Sequence, residues 1–257
     1  MKVATDTWLL LLRKVRETLR QPVWVLIILA FPLGLLAFYA PLLHSLAGGP
    51  GFRGGNVLDV FVPGMMVMLA YFSALFSGQY LLMELGSGVI ERLQVTPVSR
   101  FALLMGSILR DVLAMIFPGL VLIAVSVPFG FRPNWAGIAV LMVLLTLLTV
   151  ATGTASTALA LISKRVETMS ALVNATLFPL LMLSGMMLPL SMGPQWMRIA
   201  AHFNPLYYVT EAARDLAGAP SLQAVLTWTV GEAFAITGVL AVVATWWATR
   251  VYRKAVA

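Results

Sequence analysis

Long runs without a charged residue are the feature that most restricts what this chain can fold into. A helix needs about 20 apolar residues to cross a hydrocarbon core roughly 30 Å thick. Five runs reach that length and a sixth is slightly shorter, so the sequence predicts six transmembrane helices. The runs are Pro22–Leu43, Val60–Met83, Val112–Phe131, Pro133–Ser163, Thr168–Met197 and Ala233–Thr249.

The composition excludes a water-soluble protein. Of the 257 residues 60% are hydrophobic and 11% are charged, against about 25% charged in soluble domains. The runs lack the alternation of an outer-membrane β-barrel. We therefore expect an all-α membrane protein with one domain, 1–257. The spans are predicted at about 23–43, 58–83, 108–129, 136–162, 168–189 and 227–249.

The distribution of basic residues predicts the orientation. Twelve lie in the N-terminal segment, the second and fourth connections and the tail, whereas four, Arg53, Arg132, Arg198 and Arg214, lie in the other connections. Basic loops favour the cytoplasmic side, so both termini are predicted to be cytoplasmic. A net charge of +7 in such a chain indicates membrane topology and anionic lipid, not nucleic acid binding.

The segment before the first span has an amphipathic pattern. Between Thr7 and Arg20 the apolar residues fall on one helical face and the basic residues on the other. We expect an interfacial helix, at about 4–20, lying under the membrane. No small-residue cleavage site follows the first apolar run, so this run is predicted to be a retained span and not a signal peptide.

Several chemistries are disfavoured by what the sequence lacks. No lysine lies in a phosphate-binding loop of the pattern G-x-x-x-x-G-K-[ST], so any ATP is expected on another chain. There are no cysteines, and both histidines, His44 and His202, fall on the predicted outer side. These facts disfavour thiol catalysis, a metal site and an intramembrane serine protease.

Ion-coupled carriers usually place ionisable side chains deep in the membrane. The candidates here are the neighbours Arg110 and Asp111, near the predicted inner surface, and Glu232, in the outer part of the last span. For Glu232 the favoured interpretation is placement at the membrane boundary or an ion pair, rather than ion coupling.

Two connections have distinctive sequences. The connection between spans two and three has a short helical stretch that ends at Thr96-Pro97, and it is interpreted either as a lever for a soluble partner or as an ordinary amphipathic loop. Before the last span, Asn204-Pro205 can start a helix that Gly218 can end. This predicts two short helices forming a re-entrant outer hairpin.

Five segments together carry a resemblance to a known family. They are 61–66 (FVPGMM), 91–98 (ERLQVTPV), 183–186 (LSGM), 194–196 (PQW) and 202–206 (HFNPL). In order and spacing the chain resembles the type 2 ATP-binding-cassette exporter permeases, and within them the daunorubicin-resistance and nodulation-factor branch.

The resemblance implies a permease without a cofactor of its own. It implies a second copy of the permease in the bilayer and two copies of a separate ATPase subunit that carries Mg-ATP. It assigns ATPase contacts to Arg13, Arg16, Glu84, Glu91, Arg92, Leu93, Thr96 and Pro97. It assigns the substrate path to Met68, Tyr71, Phe72, Ser73, Asn174, Phe178, Met182 and Met186. In the outer hairpin the corresponding candidates are Trp196, His202, Asn204, Pro205 and Glu211.

The function expected from these features is ATP-driven export, across a prokaryotic cytoplasmic membrane, of a hydrophobic or amphipathic compound such as a drug, an antibiotic or a lipid. Three alternatives stay open: export of a lipid-linked glycan by the same mechanism, an ion-coupled carrier, and a membrane scaffold for an ATPase that moves no solute.

Overall fold

The computed structural model describes residues 30, 32–38, 58–86, 100–187, 190–218 and 227–255. Within these ranges the chain forms helices and turns and no strand, which confirms the all-α class. Beyond a helical stretch at 32–38, the α-helices are α1 (Leu58–Leu75), α2 (Ser77–Gly86), α3 (Arg100–Ser126), α4 (Trp135–Ser163), α5 (Val166–Met182), α6 (Gln195–Ala201), α7 (Pro205–Gly218) and α8 (Trp228–Ala255).

Four helical stretches of the described chain are long and apolar enough to cross a membrane. They are Leu58–Gly86, Met105–Phe129, Trp135–Ser163 and Trp228–Val251. The apolar helix α5 has 17 residues, about 25 Å of helix. The predicted first span lies largely outside the described residues and the interfacial helix at 4–20 entirely so, and the count of six spans stays a prediction.

Helices α1 and α4 form the centre of the bundle. Every residue from Val60 to Tyr71 is buried, and a helix that is apolar all round is buried by other helices. Its neighbours are α3, α4 and α7. The longer helix α4 also packs against α2, α5 and α8. The core of the protein therefore surrounds α1, while α5 and α8 expose much of their surface.

Glycines let these helices approach to backbone contact. A Cβ built on Gly64 in α1 would lie 2.0 Å from the carbonyl oxygen of Met186. One built on Gly137 in α4 would lie 1.9 Å from that of Leu216 in α7. Small residues permit such close packing between membrane helices. These contacts fix α1 and α4 against the segment that follows α5 and against α7.

The two ends of the bundle differ in character, and we name them by their residues. The end where α5 stops and α6 and α7 lie is called the hairpin end. The opposite end is called the basic end, because it contains Lys164, Arg165 and Arg250. Helices α2 and α4 end there, and α3 begins there. The loop that connects α2 to α3, residues 87–99, lies outside the described chain.

The predicted fifth span is wrong at its end. We expected it to reach residue 189, but α5 stops at Met182 and a turn follows. Gly185 in that turn has a φ of 71°, a left-handed conformation that favours glycine and commonly follows a helix. Ser184 stabilises the turn, since its Oγ donates to the carbonyl of Leu181 at 2.7 Å and accepts from the N–H of Met186 at 3.2 Å.

Span two is broken, which the sequence did not predict. Its helix ends at Leu75, passes through a turn at Phe76 and resumes at Ser77. Both ends of α4 agree with the predicted span to within a few residues. In contrast, α3 begins eight residues before the predicted 108, and α8 continues six residues beyond the predicted 249.

The contact at Gly64 predicts a stability effect. We expect Gly64→Ala to lower the free energy of unfolding by about 1–3 kcal/mol, the usual cost of overpacking, because backbone atoms must move. Thermal unfolding of the detergent-purified protein measures this. Gly238→Ala in α8 is the control, since nothing lies within 4 Å of its Cβ position. Equal midpoints for the two variants would contradict the assigned contact.

Candidate functional site

Helix α5 packs on α2 and α4 along a seam that contains polar pairs. Met169 and Val173 are its buried side chains. Beside them, Gln79 Nε2 donates to Ser170 Oγ at 2.9 Å. Further toward the hairpin end, the side chain of Tyr71 in α1 lies near that of Thr176 in α5. The seam therefore joins spans two and five, the two spans to which the substrate path was assigned.

The structure separates the eight candidate path residues into three groups. Met68, Tyr71 and Met186 are buried inside the bundle, and Phe72 and Ser73 are half-buried. Asn174, Phe178 and Met182 are exposed. Because the last three are spaced four residues apart, they share one face of α5, which we call the α5 face. The bundle does not bring these three into contact with the buried group.

The α5 face combines apolar side chains with one amide. Asn174 Nδ2 donates to the carbonyl of Ser170 at 2.9 Å, and the rest of the amide is exposed beside Phe178 and Met182. An amide in a membrane span is unfavourable against hydrocarbon unless another group pairs with it. Adaptable Met and aromatic side chains accept varied apolar groups. Chemically, this face suits an amphipathic molecule or another helix.

Two short helices, α6 and α7, lie where the sequence predicted them, and Asn204 connects them to α5; that they form a re-entrant hairpin stays a prediction. The Oδ1 of Asn204 accepts from the N–H of Leu206 at 3.0 Å, as a helix N-cap does. Its Nδ2 donates to the carbonyl of Leu180 at 2.8 Å. Pro205 occupies the first position of α7, and the helix ends at Gly218, both as expected. The depth of these two helices in the membrane is likewise a prediction.

Arg214 joins three parts of the hairpin end. Its Nη1 lies 2.8 Å from Glu211 Oε1, its Nη2 donates to the carbonyl of Gly185, and its Nε lies 3.5 Å from the carbonyl of Val60. The side chain is 10% exposed. One guanidinium group therefore connects α7 to the start of α1 and to the turn after α5, with Glu211 balancing its charge.

Aromatic rings surround the junction of α6 and α7. The ring of His202 lies 5.3 Å from that of Tyr207, and Tyr208 donates from its hydroxyl to the carbonyl of His202 at 3.1 Å. Burial and the nearby Glu211 carboxylate raise the pKa of Tyr207 above its ordinary value. Trp196 is exposed on α6 and makes no part of this cluster.

A buried ion pair lies in α3 toward the basic end. Arg110 Nη2 is 2.7 Å from Asp111 Oδ1, and the two side chains are 14% and 3% exposed. The guanidinium group also lies over the ring of Tyr80, 4.7 Å from its centroid, with Glu84 close enough for attraction. Thus Glu84 belongs to a cluster that joins α2 to α3. The other assigned ATPase contacts lie outside the described residues.

Glu232, a candidate for ion coupling, lies one turn into α8. The indole Nε1 of Trp228 donates to its Oε1 at 2.7 Å. Trp228 is exposed at the start of the helix, and tryptophan is enriched at membrane boundaries. This pair supports boundary placement for Glu232.

The sequence interpretation missed three residues that position these elements: Gln79, Arg214, and Ser156 in α4, whose hydroxyl group bonds to the backbone of span two. Gln79 and Arg214 are polar residues on helices that are otherwise largely apolar, which is the signal that could have identified them. Ser156 lies in a run of small hydroxyl residues, and nothing in the sequence distinguishes it from its neighbours.

Comparison with known proteins supplies the family. Residues 5–217 match the model of the ABC-2 type transporter family. The chain is 25% identical over 197 residues to the daunorubicin resistance ABC transporter permease protein of Streptomyces coeruleorubidus, covering 76% of this chain and 69% of that protein. It is 27% identical over 199 residues to a protein of Cyanophora paradoxa described as a transport permease, covering 77% and 69%. The chain therefore belongs to the ABC-2 type transporter family.

Proposed function

We propose that this protein is the permease subunit of an ATP-driven exporter that moves a hydrophobic or amphipathic compound out of the cytoplasm. The family match over residues 5–217 is the observation that carries the proposal. Permeases of this family normally pair with an ABC ATPase subunit, and this sequence has no phosphate-binding loop of its own. ATP hydrolysis therefore belongs to a separate chain, which we place at the basic end.

The proposed working unit contains two permeases and two ATPase subunits. The α5 face supports a second permease copy, because the exposed amide of Asn174 on that face is better paired with protein or substrate than left against lipid. In this arrangement the α5 faces of the two copies border the exit path. The hairpin end, predicted to be outside, forms the exit.

The proposed mechanism transmits motion through helices and involves no acid or base chemistry. ATP binding brings the ATPase subunits together, and the loop between α2 and α3 with Glu91, Arg92 and Pro97 passes that motion to α2. A conformational change can be driven only by interactions that differ between its two states. Here the difference is whether the ATPase pair is closed.

An ion-coupled carrier is the less favoured alternative. Its three candidate side chains have partners of their own, since Arg110 pairs with Asp111 and Glu232 with Trp228. Export of a lipid-linked glycan fits the same architecture as drug export, and the substrates used in the transport test separate these two. A scaffold that moves no solute does not need the helices α6 and α7 or their contacts to α1 and α5.

The test of the proposed function is transport in proteoliposomes. We expect the permease, reconstituted with its cognate ATPase subunit, to move an amphipathic drug such as daunorubicin, or a lipid-linked oligosaccharide, only when ATP is supplied. An uncoupler should leave that transport unchanged. Transport by the permease alone, or transport that collapses with the uncoupler while ATP remains, would overturn the proposal.

The proposed loop contact predicts weaker binding of the ATPase subunit when the contact is removed. Removing a charge-assisted contact costs about 1.5–3 kcal/mol, so we expect the double variant Glu91→Ala, Arg92→Ala to weaken ATPase binding by about tenfold or more. Binding of the purified ATPase subunit to permease in nanodiscs measures this. The control is Arg165→Ala with Glu167→Ala, an exposed opposite-charge pair at the same end. Unchanged binding in both variants would reject the loop contact.

The proposed path predicts a change in substrate affinity. An aromatic contact contributes about 0.5–1.5 kcal/mol beyond burial, so Phe178→Ala should raise the KM for an aromatic drug by about two- to tenfold. Drug-stimulated ATPase activity of the complex gives this KM. Val239→Ala in α8 is the matched control, because the two side chains are 64% and 63% exposed. If both variants keep the wild-type KM, the α5 face does not line the path.

A further inference from the structure

The break in span two is filled by a side chain from another helix. Ser156 in α4 donates from its Oγ to the carbonyl of Leu75 at 2.6 Å, and the same Oγ accepts from the N–H of Gly78 at 3.1 Å. In a continuous α-helix these two backbone groups would pair with residues four positions away. A hydroxyl inserted into the helical ladder is a recognised cause of a kink.

Ser156 differs in this respect from the other hydroxyl residues of α4. The hydroxyl groups of Thr149, Thr154 and Thr157 each donate to a carbonyl four residues earlier in their own helix. Ser156 is buried like them, yet its hydroxyl group bonds across to the backbone of span two. The hydroxyl group of Ser156 therefore makes a tertiary contact between α4 and the break in span two, whereas the three threonines bond within their own helix.

The backbones of α2 and α4 touch at the same point. A Cβ built on Gly78 would lie 2.4 Å from the carbonyl oxygen of Ser156. The start of α2 is thus held at a fixed distance from α4, and sliding is blocked. The buried hydroxyl of Ser77 has no hydrogen-bond partner among the described residues, so this side chain does not bond the start of α2 to a neighbouring helix.

The two halves of span two are held in different ways. Helix α1 is buried by apolar side chains on every side. In α2 only Ser77, Gly78, Leu81 and Leu82 are buried. Among the other side chains of α2, Gln79 and Tyr80 make polar contacts, to Ser170 in α5 and to Arg110 in α3, and Leu85 packs against the edge of the apolar core. Such polar contacts can be exchanged for others at lower cost than a packed apolar core.

We propose that Ser156 is a positioning residue for transport: its hydroxyl group holds the break in span two so that α2 turns as a rigid lever against the fixed helix α1. This inference rests on the proposed function, because the loop that follows α2 is where the ATPase subunit is placed. It adds the pivot by which motion of that loop reaches the seam between α2 and α5.

Spin-label distances in the permease alone test the pivot. The sequence has no cysteine, so single labels can be added without removing native residues. One pair joins Met83→Cys in α2 to Val243→Cys in α8, and the control pair joins Phe117→Cys in α3 to Val243→Cys. The labels replace side chains of matched exposure, since Met83 and Val243 are 55% exposed and Phe117 is 56% exposed.

In lipid nanodiscs we expect Ser156→Ala to broaden the distance distribution from Met83 and to leave that from Phe117 unchanged. Thr157→Val is the matched control, because it removes a hydroxyl group that bonds only within α4, and it should leave both distributions narrow. A narrow Met83 distribution in Ser156→Ala overturns the pivot. Broadening of both pairs also overturns it, since Ser156 would then support the whole bundle.

Coupling in the full complex gives the second readout. We expect Ser156→Ala to keep basal ATP turnover while transport per ATP falls about fivefold or more, the lower end of typical coupling between sites. Equal losses of turnover and transport would overturn the positioning role. If the wild-type complex moves no substrate, the proposed function fails, while the distances in the permease alone still decide whether Ser156 holds the break.

Discussion

Backbone groups left open where a helix is interrupted are satisfied in this bundle by side chains from elsewhere in the chain. In hydrocarbon each unpaired N–H or C=O costs several kcal/mol, so an interruption persists only with a substitute partner. Ser156 supplies it at the break in span two. Arg214 and Asn204 supply it at the end of α5, by donating to the carbonyls of Gly185 and Leu180.

The two interruptions differ in what surrounds them, and this difference suggests different roles. At the hairpin end the backbone contact between Gly64 and Met186 lies beside the ion pair of Arg214 and Glu211, so several constraints act on one turn. At the break in span two, one hydroxyl group and one close approach at Gly78 hold the start of α2. The first site carries more constraints than the second, which is consistent with the proposed pivot at Ser156.

Sequence reasoning predicted the all-α class, the cores of the spans that the structure describes and the two short helices α6 and α7, because each rests on a local signal. Apolar runs define helices that must bury their backbone in themselves, and Asn204-Pro205 combines an N-cap with a residue suited to the first helical position. It did not predict the break at Phe76 or the early end of α5. The break depends on a partner distant in sequence, since Ser156 is 78 residues from Gly78. The end of α5 combines a local signal, Ser184-Gly185, with a distant partner, since Arg214 is 29 residues from Gly185.

The candidate path shows the same limit in another form. Spacing alone places Asn174, Phe178 and Met182 on one face of α5, and the structure exposes that face. Spacing cannot reveal that Met68, Tyr71 and Met186 are enclosed within a single copy. A path that includes both groups would require α5 to move away from span two, and the seam that α5 forms with α2 and α4 is closed there by the bond of Gln79 to Ser170. Since Gln79 lies on α2, a rotation of α2 about Ser156 would act first on the bond that closes this seam.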